Sequence, residues 1–185
     1  MIFLGLGGNM PSRRFGPPQA TLEAALAALG PLGASARRRS RWYRSRPLPD
    51  DGQPWYVNGV AELATELAPA DLLACLLEVE RQLGRERRER WAPRVVDLDL
   101  LAYHDLNTWA SGADTVPVVP HPRLHERAFV LVPLAELAPG WRHPVLGRTV
   151  EELQAALPPG QFVAAWEPGP ADPAGSPVAG APPVR

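Results

Sequence analysis

The sequence predicts an α+β fold: a ferredoxin-like βαββαβ core with an antiparallel sheet, extended by additional C-terminal helices. Three observations predict it. Short apolar runs bounded by Gly and Pro recur near residues 2–6, 56–67 and 95–103. Two helical periodicities, Leu22/Leu26/Leu29 and Leu72/Leu76/Leu83, fall between such runs. The length, 185 residues, suits one domain with a single core.

Taken in order, Ile2–Leu6 reads as an apolar strand running into the turn Gly7-Gly8-Asn9. Pro17 and Pro18 open the first helix, and Gly30-Pro31 stops it. Ala34–Ser45 is expected as one exposed strand, because Arg alternates with smaller residues before Trp42-Tyr43. Pro47, Pro49, Gly52 and Pro54 mark a loop, after which Tyr56–Leu67 returns as a strand. Pro69 opens a second helix that ends at Gly84, and an Arg-rich loop leads into the strand Val95–Tyr103. Arg127–Leu137 and Val150–Leu157 read as further helices and Phe162–Trp166 as one more strand. Residues 1–166 form the expected domain. Residues 167–185, rich in Pro, Ala and Gly, cannot bury enough surface to offset ordering and are expected to be disordered.

Composition excludes several chemistries. The net charge of −1 gives no global attraction to nucleic acid or anionic lipid. All 19 basic residues are Arg, and twelve fall within Arg37–Arg46 and Arg81–Arg94. Without Lys there is neither a Schiff base nor a Walker-type loop, so phosphate must be gripped by guanidinium forks. Cys75 is the single cysteine, set among leucines, and reads as a buried small hydrophobe. No run approaches the ~18 apolar residues of a membrane span, so a cytoplasmic protein is expected. Gly5-x-Gly7 begins a dinucleotide fingerprint, but Met10 holds the third glycine position and Pro11 breaks the helix entry.

The chemistry concentrates in three places. Asp97 and Asp99 alternate with Leu98 and Leu100, so both carboxylates share one strand face while Val96, Leu98 and Leu100 face the core. Such a pair suits Mg²⁺, which takes one or two carboxylates plus phosphate oxygens; the bland alternative is a solvated face neutralised by Arg. Five arginines within residues 85–94 precede it, a set suited to a triphosphate, or else simply a charged loop. Tyr56 and Asn58 share another face, an aromatic ring beside an amide, suited to a flat hydrogen-bonding heterocycle. Arg123 and Arg127 stand one helical turn apart after Pro120-His121, and taken singly His121 reads as a structural loop residue.

Together these segments resemble the 6-hydroxymethyl-7,8-dihydropterin pyrophosphokinase family. The resemblance rests on Gly7-Gly8-Asn9, on Trp42-Tyr43 through Gln53-Pro54-x-Tyr56-x-Asn58, on Gly84-Arg85 through Trp91-Ala92-Pro93-Arg94-x-x-Asp97-x-Asp99, and on Pro120-His121-Pro122 through Arg127-Ala128-Phe129. It implies transfer of pyrophosphate from ATP to the hydroxymethyl group of a reduced pterin, with AMP released, in folate biosynthesis. By resemblance, Asp97 and Asp99 hold two Mg²⁺ ions, with Arg85 and Arg94 joining them in catalysis. Arg85, Arg87, Arg90, Arg94, His121 and Arg127 surround the triphosphate, the choice between Arg88 and Arg90 staying open. Glu80 and Leu100 lie near the nucleotide. Ser45, Leu48, Tyr56, Asn58 and Phe129 form the pterin pocket. Ser45, Gly8 and Ala92 stand where the family commonly has Thr, Ser and Gly.

Two rivals are a non-enzymatic RNA-binding module on the same scaffold and another Mg²⁺-dependent transferase with a different acceptor. The net charge and the paired aspartates count against the first. The expected partners are therefore ATP and a pterin, with no nucleic acid and no membrane, acting on a monomer.

Overall fold

The structure, a computed structural model, describes residues 1–49, 52–84, 94–109 and 117–166. Its elements run β1 (Ile2–Gly8), α1 (Pro18–Leu29), β2 (Ala34–Arg39), β3 (Trp42–Ser45), β4 (Tyr56–Thr65), α2 (Pro69–Gln82), β5 (Asp97–Tyr103), α3 (Ala128–Leu137), α4 (Val150–Ala155) and β6 (Val163–Trp166). All strand pairings are antiparallel, in the order β5-β1-β4-β3-β6, with β2 also on β4. This is the expected split βαββαβ arrangement, with α3, α4 and β6 added.

Two boundaries differ from expectation. β1 continues through Gly7 to Gly8 instead of turning after Leu6, because it is paired on both sides, to β4 and to β5. Ala34–Ser45 is broken at Ser40-Arg41 into two strands lying along β4. β2 pairs with residues 61–65 and is mostly exposed, whereas β3 pairs with residues 56–58 and is buried throughout. β6 covers the outer edge of β3, which supplies the burial that Arg alternation did not predict.

Each face of the sheet is covered. Leu4, Leu6, Ala61 and Leu98 on one face pack against Leu22 and Leu29 of α1 and Leu72 and Leu76 of α2. On the other face Phe3, Val60 and Leu101 meet Val130, Leu131 and Leu134 of α3 and Leu153 of α4. Full burial of each Leu, Val or Phe among these stabilises by about 1.5–3 kcal/mol before entropy is counted. The ends are set locally: Pro69 starts α2 and Gly84, at φ 90°, ends it. Thr149 and Glu152 form a reciprocal capping box on α4. Cys75 is half-buried rather than buried, with its thiol 3.7 Å from the Leu32 carbonyl. Among the described residues no helix is long and apolar enough to cross a membrane. The expected tail, residues 167–185, lies outside the described residues.

Candidate active site

The antiparallel pairing of β1 brings β4 and β5 residues into common rows. Gly7 is opposite Asn58 on one side and Asp97 on the other, and Gly5 is opposite Val60 and Asp99. Directly opposed residues project to the same face, so Asn58, Asp97 and Asp99 share one face, with Tyr56 two residues along. Further down that face Phe3 and Val60 lie beneath α3. Leu98 and Leu100 take the opposite face, as the alternation requires.

The middle strand contributes no side chain to these rows. A Cβ at Gly7 would come 3.3 Å from Asn58 Oδ1, and one at Gly5 would come 3.2 Å from a Leu101 methyl. Neither glycine is needed for a left-handed backbone; what each provides is space. The result is a trough floored by backbone, with an amide on one wall and two carboxylates on the other. Gly8 serves differently. Its Cβ would meet the Val95 carbonyl at 2.7 Å, so glycine lets the segment before β5 close on the end of β1.

Each carboxylate has its own arginine. Arg94 Nη1 donates to Asp97 Oδ2 at 2.6 Å, and Arg127 Nη1 lies 3.5 Å from Asp99 Oδ2. Burial opposes the charge on Arg94, but Asp97, with Tyr56 and Asp99, raises its pKa above the ordinary value. Arg127 goes the other way: burial outweighs Asp99, and Arg123 adds to the lowering. Its guanidinium carbon also lies 5.5 Å from the Phe129 ring centre, at the start of α3.

His121 is fixed to β5 by its N–H, which donates to the Leu101 carbonyl at 2.8 Å. The Arg123 N–H donates to His121 Nδ1 at 3.1 Å, which leaves Nε2 as the protonated nitrogen of the neutral ring. Burial first, then Arg127 and Arg123, push its pKa down to about 4. At neutral pH this side chain is an uncharged donor among arginines.

On the amide wall, Asn58 Nδ2 donates to Ser45 Oγ at 2.8 Å, and both side chains are buried. Phe129 packs partly buried against the α3 core. Leu48 is exposed, at 54% of its surface, and stands on the loop before β4. Two residues fall elsewhere. Leu100 is buried in the core of the opposite face. Glu80, on α2, turns its buried carboxylate to the edge of β5, where it accepts the Leu98 N–H at 2.7 Å. Arg85, Arg87 and Arg90 lie outside the described residues.

One residue with no role foreseen from sequence organises the whole. Asn9 is buried, and its Nδ2 donates to Gln53 Oε1 and the Pro54 carbonyl at 3.3 and 3.2 Å. Its Oδ1 accepts the Arg94 N–H at 2.8 Å, and its own N–H donates to the Arg94 carbonyl at 2.9 Å. It therefore clasps the segment entering β4 to the segment entering β5. The signal was its place at the end of Gly7-Gly8-Asn9, which sequence alone shows only as a turn.

The donor set fits Mg²⁺. Asp97 and Asp99 are hard oxygen donors on one face, and among the described residues no group of three or more His, Cys, Asp or Glu forms a closed metal cage. Two carboxylates plus substrate oxygens and water is the usual Mg²⁺ arrangement in phosphate chemistry.

Comparison with known proteins decides the family. Residues 3–139 match the model of the 7,8-dihydro-6-hydroxymethylpterin-pyrophosphokinase (HPPK) family. The chain belongs to this family. HPPK enzymes transfer pyrophosphate from ATP to hydroxymethyldihydropterin in folate biosynthesis, and this chain is an HPPK-family pyrophosphokinase. It is 42% identical over 151 residues to the 2-amino-4-hydroxy-6-hydroxymethyldihydropteridine pyrophosphokinase of Synechocystis sp., covering 81% of this chain and 72% of that protein. The enzyme of the same name from Methylorubrum extorquens is 42% identical over 158 residues, covering 85% and 93%. The fold matches a crystal structure of the Plasmodium falciparum HPPK-DHPS triple mutant with SDX-DHP, at TM-score 0.61 and 14% identity. That alignment covers 83% of this chain but only 43% of the Plasmodium chain, and the likeness concerns the fold alone.

Proposed function

We propose that the trough between Asn58 and Asp97 is where the pyrophosphokinase joins its two substrates. The observation that carries this reading is the single row Asn58–Gly7–Asp97, in which a heterocycle-binding amide and a phosphate-side carboxylate are separated only by glycine. On the amide side, Tyr56, Asn58, Ser45, Leu48 and Phe129 receive the pterin. Asn58 is held by Ser45, so its remaining polar capacity is preset for the ring edge rather than free to rotate.

On the carboxylate side, Asp97 and Asp99 hold two Mg²⁺ ions together with ATP. Bound there, the metal supplies neutralisation of phosphate charge and activation of the attacking oxygen. Arg94 and Arg127 then exchange carboxylate oxygens for phosphate oxygens, which their planar forks accept equally well. His121 offers its Nε2–H as a neutral donor beside them. Arg85, Arg87 and Arg90 complete the cationic surround of the triphosphate. In the reaction the pterin hydroxyl oxygen bonds to the β-phosphorus while the bond from that phosphorus to the α,β-bridging oxygen breaks. AMP leaves with the bridging oxygen, and the hydroxyl proton passes to solvent or to a carboxylate.

Chromatography of nucleotides tests the reading. Purified protein with Mg²⁺, ATP and 6-hydroxymethyl-7,8-dihydropterin should give AMP only when the pterin is present, and none with EDTA. ADP as the product, or AMP that survives EDTA, contradicts it.

A further inference from the structure

We propose that Glu80 is a positioning residue for Asp97 and Asp99, acting through the Leu98 amide rather than by touching substrate. The inference rests on the reading of those two carboxylates as the phosphate-side machinery.

Glu80 occupies an unexpected place. It lies on the inward stripe of α2 with Leu72, Leu76 and Val79, all buried, and is itself only 2% exposed. An apolar residue would fill that position without desolvating a carboxylate, a step that is costly unless partners compensate. Part of that compensation comes from the Leu98 N–H, which donates to Glu80 Oε1 at 2.7 Å. A peptide N–H that donates to a carboxylate oxygen makes one of the stronger hydrogen bonds in proteins.

Leu98 is the residue between the two aspartates, and it needs an outside partner. Among the described residues β5 pairs only with β1, so its other edge presents N–H groups with no neighbouring strand. β5 also begins at Asp97, and strand ends are where backbone pairing opens first. Glu80 closes this edge at the point where fraying would swing both carboxylates. Arg94 and Arg127 hold the carboxylates from the trough side, and Glu80 holds the backbone from the opposite edge. A nucleotide-touching role for Glu80 predicts a different pattern, since its loss would then appear in the KM for ATP.

The test uses amide hydrogen exchange on the ligand-free protein together with steady-state kinetics. In Glu80→Leu, exchange at Leu98 should rise about 100-fold while Leu4 and Leu6 of β1 stay protected, as expected for local opening. The same variant should lose roughly 100-fold in kcat, the scale of a small misplacement of reacting groups, with the KM for ATP within about threefold. Glu80→Gln keeps an acceptor oxygen without the charge and should fall between wild type and Glu80→Leu in both readouts. Should Glu80→Leu fail to fold, Glu80→Gln carries the test alone, with Leu98 exchange and kcat expected to change together. Unchanged exchange at Leu98 overturns the anchoring contact. Faster exchange with unchanged kcat, or a loss confined to the KM for ATP, overturns the positioning role. Wild-type turnover in Asp97→Asn would sink the carboxylate reading beneath it, and Leu98 exchange separates the two failures.

Discussion

Asn58 and Asp97 face each other across Gly7, one on β4 and one on β5, with no side chain between them. A methyl group at position 7 would press on Asn58 Oδ1 at 3.3 Å and occupy the floor of the trough. Gly7→Ala is therefore expected to weaken pterin binding by about tenfold, as misplacing one buried polar contact does. ATP affinity should change little. Stability should change little, the crowding of Asn58 offsetting the restriction Ala places on the unfolded chain. Calorimetry with each ligand, alongside a melting curve, checks this.

Tyr56→Ala and Asn58→Ala act on the same wall by removing groups instead of adding them. Each should weaken pterin binding more than ATP binding. Equal losses for both ligands would place these side chains outside the pterin pocket.

Asn9 joins two segments that are far apart in sequence. Asn9→Ala removes three part-buried hydrogen bonds, to Gln53, to the Pro54 carbonyl and from the Arg94 N–H. A loss of about 1–3 kcal/mol in denaturant unfolding is expected. Unlike the Tyr56 and Asn58 variants, it should raise the KM for both substrates, since it ties both walls. A rise for one substrate alone would show that the clasp serves only one side.

Two histidines contribute to the acid side of the stability profile. Burial and the cationic neighbours Arg127 and Arg123 hold His121 at about 4 instead of 6.5, and burial with His125 does the same for His143. The unfolded chain thus takes up these protons first. Their contribution to stability is complete above about pH 6.5 and is lost as pH falls toward 4. In His143→Asn the amide oxygen can replace Nδ1 as acceptor for the Val145 and Leu146 N–H groups, so folding should survive. The decline between pH 6.5 and 4 should become shallower. An unchanged slope in pH-dependent denaturation would remove His143 from this account.

The parts of the molecule governed by short-range periodicity were legible in the sequence. Alternation put Asp97 and Asp99 on one face and Leu98 and Leu100 on the other, and the register agrees. Pro69 and Gly84 delimited α2 almost to the residue. What depends on long-range pairing was not legible. The two glycines read as a turn because nothing local shows that β1 is flanked on both sides. Arg37–Arg39 looked like a cationic patch, but Glu62 and Glu23 come from distant elements to pair Arg38 and Arg39. The Asn9 clasp and the Glu80–Leu98 bond span 85 and 18 residues, distances over which no sequence pattern repeats.

The most direct test is the turnover of Asp97→Ala and Asp99→Ala, followed as pterin-dependent AMP formation at saturating Mg²⁺, with pterin affinity measured in parallel. A kcat loss of at least about 100-fold is expected in each, with pterin binding largely retained. A kcat within about tenfold of wild type, only ~1.4 kcal/mol of barrier, would contradict the carboxylate reading.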